Sequence, residues 1–176
     1  AMEDCVGVRM LPIVLQSQVL AVPRNESIAV FFAHLLLYAD KFAACYNAAL
    51  TEYRRRRGIR SRLHPVPDLV IADGRIELPL WLTRGAGPRR RLSISSTANE
   101  AITIWAGLDP VCTRSRREFT ARPSLTMNEA LGDWQFLPRA LTLTMYLRLF
   151  ACDLFIHGIG GAKYDQITDD LIRRFF

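Results

Sequence analysis

Apolar side chains recur at Ile28, Phe31, Phe32, Leu35 and Leu36, the i, i+3, i+4, i+7, i+8 spacing that turns one face of an α-helix toward a core. Asn25-Glu26-Ser27 offers the start of that helix, because short polar side chains accept hydrogen bonds from the free N–H groups of a first turn. A second helical phase runs through Phe42, Tyr46, Leu50 and Tyr53 and closes on Arg54, Arg55, Arg56, Arg57 and Gly58. Cations in a last turn and a glycine beyond it suit a helix C-terminus. Upstream, residues 9–22 are apolar with Pro12 and Pro23 as breakers, which predicts a short strand or an irregular lead-in.

Beyond Gly58 the period changes. In His64-Pro65-Val66-Pro67-Asp68 each proline pushes its predecessor into extended backbone, so residues 60–69 read as a stiff loop. Residues 69–72, 75–83 and 91–95 read as strands, with Asp73-Gly74 suited to a type I′ hairpin turn and Gly85-Ala86-Gly87-Pro88 as the second connection. The product is an antiparallel meander over 69–95, with Ile76, Leu78, Leu80 and Leu82 on one face, Trp81 on the other, and Pro79 marking an edge or a bulge. Residues 98–106 fit helix and strand alike, residues 114–123 read as a polar connection, and Thr126-Met127-Asn128-Glu129 opens a short helix ending by Gly132. Pro138 suits the first turn of a helix over 139–150, with Leu141, Met145 and Leu149 on one face. Residues 153–157 read as a strand buried on both faces, in the manner of a parallel sheet, and residues 164–175 as a last helix with Ile167, Leu171, Ile172 and Phe175 inward.

Together these elements predict one α/β domain over 1–176: a Rossmann-like three-layer core with a partly parallel sheet, helices on both faces and the meander as an extension. Only residues 166–176 follow the last strand and its turn, where a parallel sheet needs a further strand. The expectation is a domain truncated at its C-terminus, a fragment of a larger protein whose remaining chain is its partner.

Half of the 176 residues are hydrophobic, enough for a substantial core and too many for a disordered chain. The longest apolar stretches, 28–37 and 141–156, are interrupted by His34, Arg148 and Asp153 and fall short of the roughly 20 residues of a membrane span. With an acidic opening, Ala1-Met2-Glu3-Asp4, and no leader-like apolar core behind it, the expectation is a cytoplasmic protein without a membrane partner. Cys5, Cys45, Cys112 and Cys152 are scattered with no C-x-x-C pair, which predicts reduced thiols and no metal site. No motif names a cofactor. The formal charge of +6 is carried almost wholly by arginine, which favours bidentate contacts to carboxylate or phosphate and also follows from a GC-rich coding sequence.

The stretch Leu154-Phe155-Ile156-His157-Gly158-Ile159-Gly160-Gly161-Ala162-Lys163-Tyr164-Asp165 concentrates the candidate chemistry. Read as strand, glycine turn and helix start, it aims backbone N–H groups at an anion, with Gly158, Gly160 and Gly161 allowing close approach and Lys163 supplying charge. His157 at the strand end is a candidate acid, base or anion donor, and Asp165 would orient it. The spacing is neither G-x-G-x-x-G nor the Walker pattern, and the same glycines equally serve a tight turn needed only for geometry. Asp169 and Asp170 read as complements to a helix dipole. His64, with Arg62 and Arg60 before it, sits in a loop stiff enough to fix a binding side chain or simply to join two elements. Trp81 can stack on a ligand or pack. The arginine run reads as a solvated helix end, since no aromatic interleaving and no RRM, KH or helix-turn-helix signature accompanies it. Serine-hydrolase and zinc-protease motifs are also absent from the sequence.

The run from Phe155 to Asp165, with Tyr46-Asn47, Tyr53-Arg54-Arg55 and His64-Pro65-Val66-Pro67-Asp68-Leu69, resembles segments of longer bacterial proteins that carry no assigned activity. More remotely, the order of parts resembles the cysteine-adding enzyme family of bacillithiol biosynthesis, whose turn reads roughly Gly-Gly-Pro-x-Glu-x-x-Tyr within a Rossmann-like core. Gly158, Gly160, Gly161 and Tyr164 are similar; the proline and glutamate are missing, and Ala162-Lys163 stands in place of an acid. The resemblance implies a Rossmann-like domain holding a small anionic ligand, a nucleotide or an amino-sugar-type metabolite, at 158–161, related to amino-acid-adding ligases. It names no reaction, and whether the chain is an enzyme stays open. The alternative is a non-catalytic arginine-rich module that binds nucleic acid, the less favoured partner, or another protein.

Overall fold

The computed structural model describes residues 26–97 and 100–176; the lead-in over 9–22, Asn25 and Cys5 lie outside the described residues. Helices α1 (Glu26–Leu37) and α2 (Ala39–Arg57) meet at Tyr38 with a bend of 88°. The inward residues of α1 are those its period selects: Ile28, Phe31, Phe32, Leu35 and Leu36 are all buried. In α2, Gly58 caps the C-terminus in the left-handed region at φ 65°, and its backbone N–H reaches the carbonyls of Arg54 and Arg55.

Six strands follow, broken by two helices: β1 (Ile71–Ala72), β2 (Arg75–Arg84), β3 (Arg90–Ser96), β4 (Ala101–Ala106), β5 (Asp109–Ser115), α3 (Arg116–Ala121), α4 (Pro123–Leu131) and β6 (Trp134–Pro138). They form one sheet in the order β1-β2-β3-β4-β5, with β6 paired to β2, and every pairing is antiparallel. The meander over 69–95 is therefore present. Asp73 and Gly74 both take positive φ, 53° and 68°, as a type I′ turn requires. Around Pro79 the β2–β3 register shifts between Glu77 and Trp81, and the Pro79 carbonyl accepts from the Arg139 N–H. The proline marks a bulge within a central strand, where its missing N–H leaves no ladder bond unmade.

Three expectations are overturned. The sheet is not partly parallel, so the core is not Rossmann-like: the meander grows to six antiparallel strands and is the sheet itself. Residues 153–157 form no strand; they run exposed and irregular, with Leu154 75% and Ile156 81% exposed. The last helix, α6 (Ile159–Phe175), begins five residues early, so Gly160 and Gly161 lie in its first turn and not in a turn before it. An all-antiparallel sheet requires no further parallel strand after α6. Smaller shifts have local causes. Pro138 ends β6, and helix α5 (Ala140–Tyr146) starts beyond it. A π-turn, Leu147–Ala151, then adds a residue to the helical ladder, so Leu141 and Met145 stay buried while Leu149 rotates outward.

The core lies between the helices and one face of the sheet, where Leu78, Leu80 and Leu82 of β2, Leu92 and Ile94 of β3, and Ile102, Ile104 and Ala106 of β4 are buried; α2 and α5 pack on β2, and α3 and α4 on β5. Each of these leucine and isoleucine side chains contributes on the order of 1.5–3 kcal/mol through burial. Helix α6 runs antiparallel to α2, as Lys41 donates to the Phe175 carbonyl and Arg57 to Gln166, each at 2.9 Å, at opposite ends of the pair. Ile167, Thr168, Leu171 and Phe175 face inward. Among the described residues no single helix is long and apolar enough to cross a membrane.

Candidate functional site

At the start of α6 the structure brings His157 and Asp165 together, His157 Nε2 lying 3.5 Å from Asp165 Oδ1 with neither atom in a hydrogen bond. The ring of His157 rests on Gly161, where a Cβ would stand 2.8 Å from Nδ1, and meets Phe155 edge-on at 4.5 Å. Gly161 is needed for this close approach. Gly158 precedes the helix in extended conformation, and no side chain caps the first turn. Asp165 Oδ2 accepts from Arg148 at 2.8 Å, and the other Arg148 nitrogen donates to Asp169 at 2.5 Å. Burial pulls the Arg148 pKa down, but the hydrogen bonds and charges of Asp169 and Asp165 outweigh it and leave it raised. The corner is thus a cross-tie from the π-turn to α6 in which the arginine is spent on two carboxylates. Gly158, Gly160 and Lys163 are exposed, and Lys163 stands outside the His157 contact.

His64 and Arg62 lie in the loop after α2, and the His64 ring meets Tyr164 edge-on at 6.0 Å. The loop is organised by Arg54. This guanidinium, buried, donates to the carbonyls of His64 (2.9 Å), Arg62 (2.6 Å) and Val66 (2.7 Å) and to Asp68 (2.5 Å). Asn47 completes the tie, pairing with both backbone groups of Leu69. Arg62 itself is exposed and reaches Asp68 at 3.3 Å. The reading of the arginine run as a solvated helix end is corrected for Arg54, while Arg55 and Arg56 are exposed and share Glu52. Their hydrogen bonds hold the Glu52 carboxyl down to about 2.

The second concentration of chemistry lies on the face of the sheet turned away from the helices. Cross-strand register aligns Arg75, Ser95, Thr103 and Thr113 in one row, Glu77, Ser93 and Trp105 in the next, and Trp81 with Arg91 beyond it. Arg75 reaches across its row to lie 3.6 Å over the Trp105 ring, extending toward the Gly107 carbonyl at 3.4 Å. Arg139, from the end of β6, lies 4.4 Å over Trp81. Glu77 is buried and neutralised: Oε1 takes Arg139 at 2.6 Å and Arg91 at 3.6 Å, and Oε2 takes the Val70 N–H at 3.1 Å. Ser95 Oγ accepts from the Trp105 indole at 3.0 Å, and Thr103 and Thr113 pair at 2.9 Å. Between Arg75 and Arg91 opens a basin of about 490 Å³.

Apart from Trp81, no motif in the sequence marks this face, because its residues are two apart on different strands and share no local signature. The alternation Arg91, Ser93, Ser95 against Leu92, Ile94 carried the signal, as did Thr103, Trp105 against Ile102, Ile104. Comparison with protein-family models, with curated proteins and with solved structures gives no significant match for this chain.

Proposed function

We propose that the protein is a non-catalytic binding module that takes an anionic partner on the open face of its antiparallel sheet. The observation that carries this reading is the pair of arginine-on-tryptophan stacks, Arg75 on Trp105 and Arg139 on Trp81, with Arg91 between them. Antiparallel sheets commonly leave one face to solvent, and a face of planar cations, indoles and hydroxyls offers charge and stacking together. The +6 formal charge supplies long-range attraction in the same sense.

A small-anion site at the start of α6, formed by Gly158, Gly160, Gly161 and Lys163, is the second reading, favoured by the uncapped first turn. Asp165 and Asp169 stand beside it and Arg148 is consumed by them, so the local charge opposes an anion. The two are separated by titrating polyglutamate, single-stranded DNA and duplex DNA into the protein at low and high salt while following backbone amide shifts. The sheet-face reading expects salt-dependent binding by at least one polyanion, shifts on β2 to β4, and loss in Arg75→Ala with Arg91→Ala. Shifts confined to the Gly160 and Gly161 amides, or equal loss in Arg173→Ala with Arg174→Ala, would overturn it.

A further inference from the structure

We infer that the anion taken by the sheet face is single-stranded nucleic acid, with one nucleotide seated in the basin between Arg75 and Arg91. This rests on the reading of that face as a binding surface and names its ligand. The basin's polar side chains are Arg75, Arg91 and Ser93, with Glu77 in the floor and Asp73 at the rim. Glu77 is already shared by Arg139 and Arg91 and by the Val70 N–H, so it adds no free negative charge to the floor. Two guanidinium groups and a hydroxyl converge on a space that suits a phosphate.

The walls say more than the floor. Val70, 51% exposed, and Leu108, 84% exposed, face the same basin from its two sides, and an apolar wall has nothing to offer a phosphate or carboxylate alone. A base and its sugar fill that role. The Arg75 guanidinium carbon stands 3.6 Å from the centroid of the Trp105 ring and the side chain also lines the basin, so it offers a planar cation on which a base can stack. All but two of the 23 basic residues are arginine, the side chain that both stacks on rings and grips phosphate through paired donors. Further hydroxyls, Ser95 and Thr103, lie opposite each other on β3 and β4 and extend the polar surface beyond the basin. An acidic peptide satisfies the arginines but leaves stacking surface and apolar walls unused. Duplex DNA presents its bases edge-on inside grooves and cannot lay one against Arg75.

The test measures anisotropy of a labelled mixed-sequence 12-nucleotide single strand, the matching duplex and a labelled polyglutamate of similar charge, with tryptophan quenching recorded in parallel. The single strand is expected to bind tightest, to quench tryptophan fluorescence, and to weaken as salt rises. Arg75→Ala is expected to weaken it roughly five-fold or more, and Arg75→Lys nearly as much, since lysine keeps the charge but not the planar stack. Circular dichroism establishes that both variants are folded. If polyglutamate or duplex binds as tightly as the single strand, or if Arg75→Lys binds like the parent, the single-strand assignment falls while the anion-binding face stands. If none of the three binds, both fall.

Discussion

Arg54 is the side chain on which the architecture between α2 and the sheet depends. It gathers three carbonyls and a carboxylate from the loop after its own helix, so four acceptors from residues 62–68 converge on one buried cation. Removing it takes the donor from three carbonyls and leaves Asp68 with only the longer contact of exposed Arg62. Arg54→Ala is expected to lower stability by roughly 3–5 kcal/mol in urea unfolding, and Arg54→Lys also by a large part of that, since an ammonium cannot serve four acceptors in a plane. Arg56→Ala, which loosens an exposed pair with Glu52, should cost less than about 1 kcal/mol. This difference was partly written in the chain. Arg54 stands four residues beyond Leu50 and eight beyond Tyr46, both fully buried, so the helical period already placed it inward. Its charge and its three arginine neighbours hid the position. His157 and Asp165 illustrate the converse: the sequence sets the two side by side, but Arg148, seventeen residues before Asp165, is placed there only by the π-turn and the irregular 152–158 segment.

Helix α6 shows how a correct inward face can accompany a wrong beginning. Ile167, Leu171 and Phe175 were legible from their spacing and are buried. Leu154-Phe155-Ile156 read as a strand because a short apolar run bounded by glycine fits one, yet a strand exists only where a neighbour offers an edge, and spacing says nothing about neighbours. At its far end α6 closes on α1 through His34, whose ring lies 5.5 Å from Phe175 and 5.7 Å from Phe176, the latter stacked. Burial, then the charge of Lys41, lowers the His34 pKa below its ordinary 6.5. A lowered folded pKa means that the neutral ring is preferred, so this contact contributes fully above about pH 6.5 and is lost as pH falls through the folded value. The His34 midpoint in an NMR titration should therefore lie below 6.5, and His34→Phe should reduce the acid-side fall in thermal stability; a midpoint at or above 6.5 contradicts the arrangement.

Taken together, the sheet was readable as a local meander but not in its full extent. Hairpin turns such as Asp73-Gly74 announce themselves, whereas the pairing of β6 with β2 joins segments some fifty residues apart and leaves no mark in either. Stability is correspondingly uneven. Strands β2, β3 and β4 pair along a buried face, with the one shift at Pro79, while residues 152–158 run irregular and largely exposed ahead of α6. Among the described residues, hydrogen exchange should be slowest in β2 to β4 and fastest at 153–157, and dilute protease should cut near Leu154 or Ile156 before it cuts the sheet; cleavage within β3 or β4 ahead of that segment would contradict this order. The strand that unites the sheet carries one more implication, for how the chain is made. One edge of β2 is shared by β1 at its start and β6 at its end. On the ribosome, Leu80 to Arg84 emerge long before Trp134 to Pro138, so the growing polypeptide displays an unpaired apolar edge throughout the synthesis of everything between them. Stalled or prematurely terminated chains that end ahead of Trp134 keep that edge open, and are the form of this protein most prone to aggregate in the cell.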